Sequence, residues 1–187
     1  RPFVTHHNAL DRDFNLRIAL ELHLKRLLVG GLDRVFEIGR VFRNEGVSTR
    51  HNPEFLMLES YEAYADYRDV AAMVEELYRH VAQEVLGTMQ VEHGEHRLDL
   101  EAPFARTTFR RALLEHGGFD YTEHRDEASL RAVAAERNIS IKEPASWITV
   151  LDLLWSTLAE PHLIQPTFVF DYPVEISPLA KRKVDEA

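Results

Sequence analysis

The sequence predicts an α+β fold, and three observations lead there. Residues 34–64, RVFEIGRVFRNEGVSTRHNPEFLMLESYEAY, hold two alternating runs, Val35 to Glu45 and Phe55 to Tyr64, on either side of a polar loop. Successive strand side chains point to opposite faces, so alternation marks a half-buried strand. Apolar residues at helical spacing over 15–29 and 68–86 mark amphipathic helices before and after this pair. A helical stretch over about 103–165 then looks inserted between sheet elements.

In chain order, residues 1–14 read as an extended entry segment carrying Pro2 and polar turn residues. NLRIALELHLKRLLV, 15–29, places Leu16, Ala19, Leu20, Leu24, Leu27 and Leu28 on one helical stripe, and Gly30-Gly31 stop it. The two strands follow. Gly46, Ser48, Asn52 and Pro53 make their connection a turn-rich loop. In 68–86, Val70, Met73, Val74, Leu77, Val81 and Val85 form a stripe expected in the core. MQVEHGEHRLDL, 89–100, reads as a hairpin around Gly94. Short helices are expected over 107–116, 126–138 and 148–160, with Trp147 and Trp155 in the core. TFVFDY, 167–172, has the composition of a buried strand.

Composition narrows the function classes. The 187 residues suffice for one domain with a real core, and 45% hydrophobic content is ordinary for a soluble globular protein. No apolar run is long enough for a transmembrane helix, and RPFVTHHN has no signal-peptide character. The absence of cysteine removes disulfides and thiolate metal sites and agrees with a cytoplasmic setting. The formal net charge of −9, from 22 Lys+Arg against 31 Asp+Glu, is not that of a protein living on phosphate-backbone contacts. Any nucleic-acid contact needs a local patch. The opening Arg1-Pro2-Phe3 and closing KRKVDEA read as cuts within a longer protein.

The chemistry gathers on one strand face. Its odd-numbered positions are Val35, Glu37, Gly39, Val41, Arg43 and Glu45 in the first run, and Phe55, Met57, Glu59, Tyr61 and Ala63 in the second. Phe36, Ile38, Phe42, Leu56 and Leu58 form the opposite, apolar face, which is expected against the core. Arg43 lies beside a loop with Arg50 and His51, and a guanidinium fork suits an anionic oxygen. Phe55 offers a flat surface for a base, and Glu59 with Tyr61 offers a carboxylate and a hydroxyl for an amine. One face therefore has the groups for a nucleotide at one end and an amine at the other. A solvated sheet face laced with cross-strand salt bridges carries the same residue types.

FRNEGVSTRHNPEF followed by LESYEAYADY resembles motif 2 of the class II aminoacyl-tRNA synthetases, and in detail the lysyl-tRNA synthetases. THHNALDRDFNLRIALELHLKRLLVGG before it and HLIQPTFVFDYPVEISPLAKR after it are similar to the same family. The resemblance implies an antiparallel sheet flanked by helices, with a helical insertion. It implies lysine activation with ATP and Mg2+, then transfer of the lysyl group to tRNA(Lys). It assigns Arg43 to the α-phosphate and the lysine carboxylate, as the catalytic residue. It assigns Glu45 to the adenine or the lysine amine region, Arg50 and His51 to the outer phosphates, Asn52 to adenine placement and Phe55 to adenine stacking. Glu59 and Tyr61 would bind the lysine ammonium, with Glu21 near the α-amino group. From the residues alone a surface i,i+4 ion pair to Lys25 accounts for Glu21 equally well, and the resemblance puts the ligand role ahead of it.

On this resemblance, residues 1–187 are a partial catalytic domain. Motif 1, motif 3, the anticodon-binding domain, the acidic magnesium ligands and a homodimer interface are expected outside them. A lysyl ligase acting on a protein, and a non-catalytic synthetase-like module, are the rival readings. His93, Glu95 and His96 flank a turn with no cysteine nearby, so a plain polar turn is favoured over a metal site. The EHRDE run reads as solvated charge, and Lys181, Arg182 and Lys183 read as a solvated tail in preference to a tRNA contact.

Overall fold

A computed structural model describes residues 2–46, 48 and 51–183. The chain divides into two compact units, residues 1–70 and 71–187. Helices and strands are mixed in each, as an α+β chain requires.

The first unit opens with a hairpin, β1 (Val4–His7) and β2 (Arg12–Asn15), where an extended entry was expected. Helix α1 spans Glu21–Val29, six residues later than helical spacing alone suggests. The reason is backbone pairing. The Leu16 N–H donates to the Phe3 carbonyl at 2.9 Å, and the Arg17 carbonyl accepts from the Phe42 N–H at 2.8 Å. Residues 16–19 are thereby held as a strap outside any helix, and Leu20 turns the chain into α1. Strands β3 (Arg34–Phe42) and β4 (Glu54–Glu62) pair antiparallel, with Val41 opposite Phe55, Gly39 opposite Met57, Glu37 opposite Glu59 and Val35 opposite Tyr61.

Leu20 and Leu24 pack on Val41, joined by Val35, Phe55, Met57 and Tyr61. The buried face is thus the odd-numbered one. Phe36, Ile38, Leu56 and Leu58 are 70%, 60%, 68% and 49% exposed, which reverses the expected sides. Alternation shows which residues share a face, but the direction of the strap decides which face α1 covers. Phe42, at the end of the even-numbered face, is half-buried.

Helix α2 (Tyr67–Leu86) begins at Asp66, whose carboxylate accepts from the Arg68 and Asp69 N–H groups at 2.7 and 3.2 Å. Asp69 Oδ2 accepts from the Asp66 N–H in return, closing a capping box. The chain passes into the second unit within this helix. There α2 buries Ala71, Glu75 and Ala82, while Met73, Leu77, Val81 and Val85 are exposed. The expected core stripe therefore faces outward. An ion network around one buried carboxylate holds the helix instead. Glu75, 7% exposed, accepts from the Phe104 N–H at 3.3 Å, from Arg79 at 2.8 Å and from Arg106 at 3.3 Å.

Strands β5 (Gln90–His93) and β6 (His96–Asp99) form the expected hairpin. Strand β7 (Ala105–Thr108) lies in a stretch that was expected to be helical, and it pairs parallel with β8 (Thr167–Phe170). The antiparallel sheet implied by the resemblance is seen among the described residues as three antiparallel pairs and this parallel one. Helices α3 (Phe109–Ala112), α4 (Glu127–Glu136) and α5 (Trp147–Leu158) lie between β7 and β8 in the chain. Thr108, Asp126 and Ser146 cap them, accepting from the N–H three residues on. A single π-turn, Leu113–Gly117, follows α3 and ends at Gly118, whose φ of 67° suits a residue without a Cβ. The core between these helices includes Phe109, Leu113, Leu130, Val150, Leu151, Leu154 and Trp155, with the Phe109 and Trp155 rings stacked at 4.4 Å.

Candidate nucleotide and amine site

The strand pair of the first unit opens into a cleft of about 420 Å³. Arg43, Glu45, Gly46, Ser48, His51, Asn52, Pro53 and Phe55 line it. Five of the expected site residues thus share one wall. Arg50 lies outside the described residues.

The cleft follows from how β3 ends. The Arg43 N–H donates to the Pro53 carbonyl at 2.8 Å, which carries the pairing one step beyond Phe42. The chain then turns at Glu45, whose N–H donates to the Arg43 carbonyl at 3.0 Å. Ser48 and His51 exchange backbone hydrogen bonds, both at 3.2 Å. The Ser48 hydroxyl also bonds His51 Nδ1 at 2.8 Å, which holds the imidazole at the loop tip. Ser48 carried only a turn signal in the sequence; its role in placing His51 appears once the bridge closes.

Arg43 stands on the cleft floor. Its guanidinium lies 5.3 Å from the Phe55 ring centre, in cation–π range. Its Nε donates to the Ile18 carbonyl at 3.2 Å. One edge of the fork is thereby anchored, and the terminal amino groups remain for an anion. Phe55 also contributes to the cluster around Leu20 and Leu24, which fixes its ring.

Glu59 and Tyr61 stand further along the same face of β4. Phe55 and Glu59 are four residues apart on an extended strand, or roughly 13 Å. The Tyr61 hydroxyl donates to Glu59 Oε2 at 2.9 Å, and the Leu20 N–H donates to Glu59 Oε1 at 3.1 Å. A carboxylate accepts about four hydrogen bonds, so Glu59 retains capacity for an ammonium. Burial, then the hydrogen bond to Glu59, then the charges of Glu59 and Glu21, push the Tyr61 phenol up to about 12. It remains a donor at any physiological pH.

Glu21 is the first residue of α1. It forms the i,i+4 ion pair with Lys25, and the Lys25 ammonium lies 5.8 Å from the Tyr61 ring centre. The plain ion-pair reading therefore describes Glu21 as it stands. Its charge also reaches Tyr61, so it lies toward the Glu59 and Tyr61 end of the face. Among the described residues, no three His, Cys, Asp and Glu side chains gather as metal ligands, and Glu45 is the one carboxylate on the cleft wall.

The family model for class II tRNA synthetases (D, K and N) matches residues 1–187. The chain belongs to that family. It is similar to a lysine–tRNA ligase of Halalkalibacterium halodurans, at 52% identity over 100% of this chain and 37% of the relative. It is 54% identical to a lysine–tRNA ligase of a Thermoanaerobacter species, over 99% of this chain and 37% of the relative. A lysine–tRNA ligase of Bacillus anthracis is 50% identical over the same shares as the first. The chain thus spans 37% of the length of these curated relatives. As a class II family member it presents its cleft on a strand pair, and its α+β character agrees with the family match.

Proposed function

We propose that this chain forms the motif 2 part of the active site of a lysine–tRNA ligase. The observation that carries the reading is the order of groups along one strand face. Arg43 is held over Phe55 at one end, and Glu59 is bonded to Tyr61 at the other. A cation and an aromatic ring suit a nucleotide, while a carboxylate braced by a phenol suits an ammonium. The names of the relatives, lysine–tRNA ligases at 50–54% identity, fit that pairing of ligands.

In the proposed reaction a lysine carboxylate oxygen attacks the α-phosphorus of ATP. The new P–O bond forms as the bond to the β-phosphate oxygen breaks, and pyrophosphate leaves. A tRNA(Lys) hydroxyl then attacks the lysyl carbonyl, passes its proton to the departing phosphate and displaces AMP. Arg43 holds the α-phosphate and the lysine carboxylate and stabilises the charge that builds between them. Phe55 stacks on adenine, Asn52 helps place it, and Glu45 contacts the adenine or the amine region. His51, with Arg50, meets the outer phosphates. Glu59 and Tyr61 take the side-chain ammonium, and Glu21 lies near the α-amino group. Mg2+ bound with the nucleotide neutralises the triphosphate. Positioning and charge stabilisation do most of this work, so no general base is assigned.

The same reading places the chain as a partial catalytic domain whose insertion covers about 103–165. The remaining motifs, the anticodon-binding domain and a homodimer interface lie elsewhere in a longer cytoplasmic protein. Lysine-dependent ATP–pyrophosphate exchange by the intact protein tests the activation step, and charging of tRNA(Lys) tests the acceptor. Exchange without tRNA charging favours a lysyl ligase acting on a protein. No exchange with any amino acid sinks the enzyme reading.

A further inference from the structure

We propose that Arg17 is a positioning residue that aims Arg43, and that Gly39 is glycine to make room for it. The inference rests on the reading of Arg43 as the phosphate-binding arginine. Arg17 sits on the strap before α1, in a stretch whose helical spacing gave it no role.

Arg17 grips β3 at several points. Its Nε donates to the Arg40 carbonyl at 2.7 Å, and its Nη1 forms an ion pair with Glu37. Its own carbonyl accepts from the Phe42 N–H at 2.8 Å. Between these contacts the guanidinium lies over Gly39. A Cβ at Gly39 would overlap Nη2 and sit 3.0 Å from Cζ and 3.2 Å from Glu37 Oε1. The absent side chain is therefore the space the guanidinium occupies.

The next carbonyl along the strap, that of Ile18, accepts from Arg43 Nε at 3.2 Å. Clamping residue 17 to β3 fixes this carbonyl, and the carbonyl sets the plane of the Arg43 fork over Phe55. Arg17 also neutralises Glu37, which the register places opposite Glu59. Without that cation two carboxylates would face each other across the strands. Arg17 itself does not line the cleft, so it acts through Arg43.

The test is a double-mutant cycle in the intact protein, read by lysine-dependent ATP–pyrophosphate exchange. Arg17→Met should lower kcat about tenfold to a hundredfold with a smaller change in the KM for ATP, because the lost contact acts on geometry at the reacting phosphate. Gly39→Ala should reproduce that loss by pushing the guanidinium off the strand. Arg17→Lys, which keeps the charge beside Glu37 without the fork, should recover part of it. In an Arg43→Lys background, Arg17→Met should cost less than about twofold, since the group it positions is already gone. Full additivity in that background, or an unchanged kcat in both Arg17→Met and Gly39→Ala, overturns the inference. An Arg43→Lys variant with wild-type exchange overturns the underlying site reading instead. If Arg17→Met does not fold, Gly39→Ala and Arg17→Lys carry the cycle.

Discussion

The Tyr61 hydroxyl donates to Glu59 Oε2 at 2.9 Å, two residues back on the same face of β4. Glu59 in turn holds the Leu20 N–H, at the entry to α1. One carboxylate thus serves the proposed amine site and the fold around it. Tyr61→Phe should raise the KM for lysine about tenfold, the loss of roughly 1.4 kcal/mol in one hydrogen bond. The KM for ATP should stay near wild type. Kinetics at fixed saturating ATP check this. Because the folded phenol is pushed from 10.0 to about 12, the folded state keeps a proton that the unfolded chain releases. This contribution is present below pH 10 and is lost as pH rises toward 12.

Phe55 lies beneath the Arg43 guanidinium and within the cluster of Leu20 and Leu24. Phe55→Leu keeps much of the apolar volume and removes the π face. ATP binding should weaken by about 1–2 kcal/mol, the worth of a stacked base. The unfolding midpoint should move little. ATP titration followed by calorimetry on the intact protein would show it.

Glu75 accepts from Phe104, Arg79 and Arg106 while almost fully buried. Glu75→Ala strands the Phe104 N–H, while Arg79 keeps the Leu100, Glu101 and Ala102 carbonyls and Arg106 is open to water. The expected loss is about 2 kcal/mol of unfolding free energy. Glu75→Gln keeps acceptor capacity and should lose less. Urea unfolding of the two variants ranks them.

Asp120 accepts from Arg110 at 2.8 Å and from the Thr122 N–H and hydroxyl at 3.0 and 2.7 Å. The Arg110 hydrogen bond foremost holds its carboxyl near 2, below the usual 3.8. The folded pKa is depressed, so this contribution is present above pH 3.8 and is lost as pH falls toward 2. Asp120→Asn should flatten the fall in melting temperature over that acid window. Thermal scans at stepped pH would reveal no flattening if the pair contributes nothing.

Ile38 and Leu58 face each other across the strands on the exposed side. Replacing both by threonine puts a β-branched strand former at each position and removes apolar surface from water. The unfolding free energy of the 187-residue chain should change by no more than about 0.5 kcal/mol per site. Self-association seen by light scattering should fall.

Much of the first unit is legible locally. Alternation locates β3 and β4 to within a few residues, and turn residues mark the loop that lines the cleft. What alternation leaves undetermined is which face is covered. Leu20 and Leu24 settle that through the strap, whose backbone pairs with Phe3 and Phe42 and so overrides the helical spacing of Leu16 and Ala19. The outward stripe of α2 has a similar cause, since Glu75 outranks the apolar period in orienting the helix. Strand β7 is four residues long and its partner is remote, so no local period announces it. The motif around Arg43 marks the residues that line the cleft; the grip of Arg17 over Gly39 emerges only in the folded structure.

The parallel pairing of β7 with β8 has a consequence in time. Ala105 meets Thr167 only after the chain between them has been gathered in. An unstructured segment of that length pays a closure entropy before any ladder bond rewards it. A helical core around Phe109 and Trp155 would shorten that gap, so closing the β7–β8 ladder costs less entropy once α3, α4 and α5 are packed than before.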